Sequence, residues 1–155
     1  MKKVISILLV IFCFSSLISC SSKNNFADKL PQKEYELYSV IKDNLSMFKH
    51  PSSVGITYAS TNGQGIVYVH IIARNDFDSF KEEKFFAFTK TYVTLDGYTL
   101  GKKGDLIAYS DLFDTIGRLN ESSESKLKLT NDLTGSVYSY DLSLINDALD
   151  ELTKD

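Results

Sequence analysis

Residues 54–74 read VGITYASTNGQGIVYVHIIAR, and the period of this stretch decides the fold class. Val54, Ile56 and Tyr58 alternate with Gly55, Thr57 and Ala59, so strict alternation predicts that the three larger side chains share one face of a strand. Thr61-Asn62-Gly63-Gln64-Gly65 then supplies turn residues that tolerate positive φ, and Ile66–Arg74 is rich in β-branched residues, which together predict a β-hairpin. On its second strand Val67, Val69, Ile71 and Ala73 form a wholly apolar face, whereas Ile66, Tyr68, His70, Ile72 and Arg74 form a mixed one. The apolar face is expected to look into the core.

Before the hairpin, Leu37, Tyr38, Ile41, Leu45 and Phe48 recur at spacings of three and four, which predicts an amphipathic helix over 33–48. His50-Pro51 ends it, because a residue before proline is pushed out of the helical region. A core face is the expected use of that stripe. After the hairpin, 75–79 reads as a loop and 81–84 as a mixed-charge approach to a long third strand over 85–95. Asp96-Gly97 is a two-residue hairpin signal that would return a short fourth strand at 98–100. The expected sheet is an antiparallel meander.

The C-terminal part alternates in character. Leu112, Phe113, Ile116 and Leu119 repeat at helical spacing behind Ser110; Lys126–Thr130 alternates as an edge strand would; 137–140 reads as a short strand or an aromatic loop. Asp141 is placed to cap a last helix in which Leu142, Ile145, Ala148, Leu149 and Leu152 share a face. The fold class is therefore α+β: an N-terminal helix packed on a meander, with one or two further helices. No internal repeat or second domain boundary interrupts it.

The N-terminus has another purpose. Lys2 and Lys3 precede an apolar run from Val4 to Phe14 broken only by Ser6, and small residues lead to Cys20. This is the layout of a secretory signal, and the run is shorter than the ~20 apolar residues of a membrane span. Leu17-Ile18-Ser19-Cys20 resembles the lipobox of bacterial lipoproteins. That resemblance implies that 1–19 is removed, that Cys20 becomes the first mature residue and carries acyl chains (palmitate among them), and that the protein is held on a membrane by lipid. With Ser21 after the cysteine, it implies the outer membrane in a Gram-negative source, and the outer face of the cell membrane in a Gram-positive one. Residues 20–32 are polar, contain Pro31 and read as a tether, with 33–155 as the domain. From Cys20, ~12 residues reach at most ~40 Å.

The same reading limits chemistry. Cys13 lies in the removed segment and Cys20 would be capped by lipid, which leaves no thiol for a disulfide, a metal or nucleophilic attack. Losing Lys2 and Lys3 from 17 basic and 20 acidic residues moves the formal charge from -3 to -5, a balance that argues against nucleic-acid partners. Neither His50 nor His70 stands at i, i+3 or i, i+4 from another ligand, so no metal site is expected, and no cofactor motif is present. Asp76 and Asp78 have the oxygen-rich spacing of a Ca²⁺ loop without its glycine or distal glutamate, and read as a solvated turn. No catalytic residue can be named.

One further resemblance covers about 45 residues. The run of Leu45, Pro51-Ser52-Ser53, a hairpin and Ala73-Arg74-Asn75 is similar to small exported bacterial domains of uncharacterised function, in which a helix precedes a meander. It carries no activity with it. What stands above background is aromatic excess in the sheet: Tyr58, Tyr68, Phe86, Phe88, Tyr92 and Tyr98. Two readings stay open. Either these residues are buried beneath the C-terminal helices or a second chain, Phe86 and Phe88 above all, or they leave a platform on which Tyr58, Tyr68, His70, Tyr92 and Tyr98 meet a ligand or partner. On the second reading the protein is a non-catalytic, lipid-anchored binding module of the cell envelope whose partner is an envelope protein or ligand. An inhibitor or immunity-like protein and an envelope hydrolase are the alternatives.

Overall fold

The computed structural model describes residues 26–95, 98–119, 131–135 and 138–154, without the side chains of 93–95, 98 and 119. The lipobox, the Asp96-Gly97 turn and the edge strand expected over 126–130 lie outside them. Strands β1 (Gly55–Thr61), β2 (Ile66–Arg74) and β3 (Phe80–Phe88) form the expected antiparallel meander. It is widened by β6 (Leu106–Ala108) beside β3 and by β7 (Tyr138–Ser139) beside β1, so the sheet order is β6-β3-β2-β1-β7. Both edge strands are two or three residues long, which limits the unpaired backbone offered to another chain. The intervening strands β4 (Tyr92–Leu95) and β5 (Tyr98–Lys102) pair only with each other.

The third strand departs from expectation at both ends. It begins at Phe80, because the charged run Lys81–Lys84 is in register with Ala73, Ile72, Ile71 and His70. It ends at Phe88, where the Thr89 N–H turns to the Gly65 carbonyl at 2.9 Å. Phe88 then bonds across the base of the excursion, its N–H to Asp105 O and its carbonyl to the Gly104 N–H, both at 2.9 Å. The β4–β5 hairpin is thus an insertion between β3 and β6, and Gly101 lies flat against the Phe88 ring.

Helix α1 (Gln32–Asp43) is shorter than its apolar stripe. Asn44 ends it: its side-chain amide donates to Val40 O and to Gly104 O, each at 2.8 Å, and its N–H returns to Ile41 O. Leu45 and Phe48 still pack on the core, from a 3₁₀ turn and an extended segment. Helices α2 (Tyr109–Leu119) and α3 (Leu142–Leu152) match the two C-terminal periodicities. Asp141 caps α3 as expected, accepting from the Ser143 and Leu144 N–H groups. Part of the stretch read as a tether belongs to the domain, for Phe26–Lys29 forms a 3₁₀ turn, Ala27 is buried, and the Phe26 N–H bonds Glu151 Oε2 at 2.9 Å.

The sheet has an apolar layer on each face. On one, Val67, Val69, Ile71, Phe85 and Ala87 meet Leu37, Tyr38, Val40 and Ile41 of α1 and Ile145, Ala148 and Leu149 of α3. On the other, Ile66, Phe86 and Phe88 meet Leu112 and Ile116 of α2 and Leu133. Among the described residues no helix is long and apolar enough to cross a membrane.

Asn146 on α3 links the first layer to the sheet edge. Its Oδ1 accepts from the Ile56 N–H at 2.8 Å and its Nδ2 donates to Ile56 O at 3.0 Å, so one side-chain amide takes the place of a neighbouring strand below β7. Asn146→Ala should cost ~1–3 kcal/mol, the penalty for leaving part-buried backbone groups unpaired, measured by urea unfolding. A loss indistinguishable from zero would mean that solvent replaces the amide at no cost.

Candidate binding surface

The predicted aromatic set is divided by the fold. Phe86 and Phe88 are fully buried under α2. Tyr92 is 70% exposed, but it lies on the separate β4–β5 sheet and so is not part of the platform. Tyr98 pairs with Leu95 on that same small sheet, and its side chain lies outside the described residues. Tyr58, Tyr68 and His70 do come together. Their ring centroids are 5.0 Å apart for both tyrosine–histidine pairs and 6.0 Å for Tyr58–Tyr68.

Tyr58 reaches this face through a β-bulge. The pairing runs Ile56↔Ile71 and then Tyr58↔His70, which leaves Thr57 as the extra residue. Ile56 therefore points into the core with Ile71, and Tyr58 points to the opposite face with His70. Simple alternation puts Ile56 and Tyr58 on one side; the bulge separates them. Tyr58 is 41% exposed as a result, while Ile56 is buried.

From Tyr58 the rings continue inward. Tyr68 contacts Phe86 at 5.4 Å, Phe86 stacks on Tyr109 at 5.7 Å, and Tyr109 meets Phe113 at 4.4 Å. The surface is the open end of an aromatic row that passes through the buried Phe86 to the half-buried Tyr109 and Phe113 of α2. Burial, then the neighbouring Tyr109, Tyr58 and Glu82, raises the Tyr68 hydroxyl above its ordinary value.

A polar bracket holds the open end. Glu82 accepts from the Thr57 hydroxyl at 2.6 Å and faces His70 Nδ1 at 3.1 Å. The Thr57 hydroxyl, and to a lesser degree His70, hold the Glu82 carboxyl below its ordinary value. The order of these groups matters chemically. The carboxylate stands between hydroxyl and imidazole, so His70 is not placed to take the Thr57 proton directly. His70 Nε2 is buried and has no partner among the described residues. The bracket fixes the ring that Tyr58 and Tyr68 flank.

Thr57 and Glu82 escaped the sequence reading. A bulge residue carries no mark in a single sequence, and Glu82 reads there as part of a mixed-charge approach to the third strand, whereas strand pairing sets it across from Ile72. His50 does not end a helix, since α1 stops at Asp43; it stands ahead of the Pro51–Ser53 turn. There it lines a cleft of about 500 Å³ with Ser52, Arg74, Phe80 and Asp150. Asp76 and Asp78 turn toward Lys49 and Arg74 rather than toward a shared cation, and no group of metal ligands forms among the described residues. No protein-family model, curated protein or solved structure matches the chain.

The bracket can be read by NMR. Thr57→Val should raise the Glu82 carboxyl toward 4.5 and should do so more than His70→Gln does, because the hydroxyl is the larger cause. A lowered carboxyl stabilises the fold above its unfolded value, and this contribution is lost as pH falls through the folded value. A Glu82 titration unmoved by Thr57→Val would show that the hydrogen bond does not persist in solution.

Proposed function

We propose that the chain is a lipid-anchored cell-envelope protein whose domain is a non-catalytic binding module, with the open half of the second sheet face as its contact surface. The reading rests on one observation: Tyr58, Tyr68 and His70 form a packed, partly exposed ring cluster braced by Glu82 and Thr57. Rigid aromatic groups lose little conformational entropy on binding and combine apolar area with a polar edge, which is why such residues dominate contact energetics. The anchor is supported by Leu17-Ile18-Ser19-Cys20 behind an apolar run. The partner is an envelope protein or ligand. Neither metal nor cofactor enters this reading.

Crosslinking in the native cell followed by purification of the full chain tests both parts. Mass spectrometry should find acylated Cys20, with Cys20→Ala leaving the protein unlipidated. Tyr58→Ala and His70→Ala should each reduce recovery of the crosslinked partner by ~10-fold, the effect of losing a central contact residue, while the far-UV spectrum is unchanged. Undiminished recovery from both variants would place the contact elsewhere.

A further inference from the structure

We infer that the end of the domain carrying the β2–β3 turn faces the membrane, and that Phe77, Phe80 and Met47 seat in the bilayer interface. The inference rests on the reading that Cys20 is lipidated and adds to it an orientation and a second, apolar contact.

Three observations converge on this end. First, it is where the chain enters the domain. The Phe26 N–H is bonded to Glu151, and the adjacent Asp150 lines the cleft whose other wall includes Arg74 and Phe80. Six residue steps separate Cys20 from Phe26 and span at most ~20 Å, so an acylated Cys20 keeps this end near the lipid.

Second, three strongly exposed apolar side chains lie there. Phe77 is 87% exposed, Phe80 56% and Met47 55%. Met47 shares a small depression with Arg74 and Asn75, and Phe80 lies under the Arg74 guanidinium at 5.2 Å, so these two border one arginine, with Phe77 three residues further along the same turn. The turn presenting Phe77 is held by its own hydrogen bonds. Asn75 Oδ1 accepts from the Phe77 N–H at 2.9 Å and from the Ser79 N–H at 3.1 Å, the Asn75 N–H donates to Ser79 O at 2.9 Å, and Asp78 adopts φ 56°. A preformed turn presents the ring without an ordering cost at contact.

Third, three ion pairs lie around these residues. Lys49 meets Asp76, Arg74 meets Asp78, and Lys81 meets Glu83. A surface neutralised in this way neither seeks anionic headgroups nor is repelled by them, whereas aromatic rings favour the headgroup boundary. The matching partner is the interface of a zwitterionic bilayer, met by apolar insertion. The opposite end, where Tyr92 follows β3, is a nine-residue strand away.

The chain contains no Trp, so single reporters can be introduced in the full-length lipidated protein. Phe77→Trp and Tyr92→Trp would be reconstituted in phosphatidylcholine vesicles with brominated acyl chains. The expected result is blue-shifted emission and several-fold stronger quenching for Phe77→Trp than for Tyr92→Trp, unchanged by high salt or added phosphatidylglycerol. Equal quenching of the two, or none in a protein that floats with vesicles and carries acylated Cys20, would overturn the orientation and leave the anchor standing. Quenching that appears only with phosphatidylglycerol and vanishes in high salt would overturn the apolar contact. Absence of acyl mass together with failure to float would instead remove the anchor, and this inference with it.

Discussion

Strand β2 has to bury both of its faces, and the rest of the domain follows from that requirement. Val67, Val69 and Ile71 on one side and Ile66 on the other are all essentially inaccessible. Full burial of such side chains is worth ~1.5–3 kcal/mol each, but a single helical layer can collect it on one face only. The chain therefore supplies α1 and α3 to one side and α2 to the other, and flanks β2 with β1 and β3 to satisfy its backbone. Its upper half is enclosed. Its lower half, from His70 to Arg74, has an incomplete second layer, because Leu112 and Ile116 of α2 lie over Ile66, Phe86 and Phe88.

Joining two layers to one sheet leaves polar groups that must be met internally. Glu34 is 2% exposed, accepting from the Tyr138 hydroxyl at 2.7 Å and from the Asp141 N–H at 3.3 Å. That carboxylate connects the start of α1 to β7 and to the cap of α3, both more than a hundred residues further along the chain. Its hydrogen bond raises the Tyr138 hydroxyl above the ordinary value, and burial does the same for Tyr140. Asn146 does comparable work in the middle of α3, where it completes the edge of β1 beside the bulge. The edge strand is two residues long because side chains do the remaining pairing.

The bulge is what turns a partly covered sheet into a surface. By adding Thr57 without a cross-strand partner it moves Tyr58 from the core to the face of His70, and it places the Thr57 hydroxyl within reach of Glu82. One irregularity thus supplies both the most exposed ring of the cluster and one arm of its bracket. The exposed phenylalanines of the β2–β3 turn are a separate matter, set at the end where the chain enters.

Much of the architecture was legible in the residues themselves. Period-2 alternation and the Asn-Gly-Gln-Gly turn specify the hairpin, Asp141 marks a helix start, and the alternation along β2 names its core face, because these depend on contacts within a few residues. The Cys20 motif, likewise local, carries the expectation of lipidation. What depends on pairing between distant segments was not legible. The charged run Lys81–Lys84 becomes strand only because β2 provides its ladder, Asn44 shortens α1 only because Gly104 lies beside it, and Tyr92 leaves the platform only because β4 and β5 pair with each other. The face that Tyr58 occupies turns on a one-residue slip against β2. A slip of one residue reverses every side chain beyond it, and a single sequence gives no local sign of where it falls.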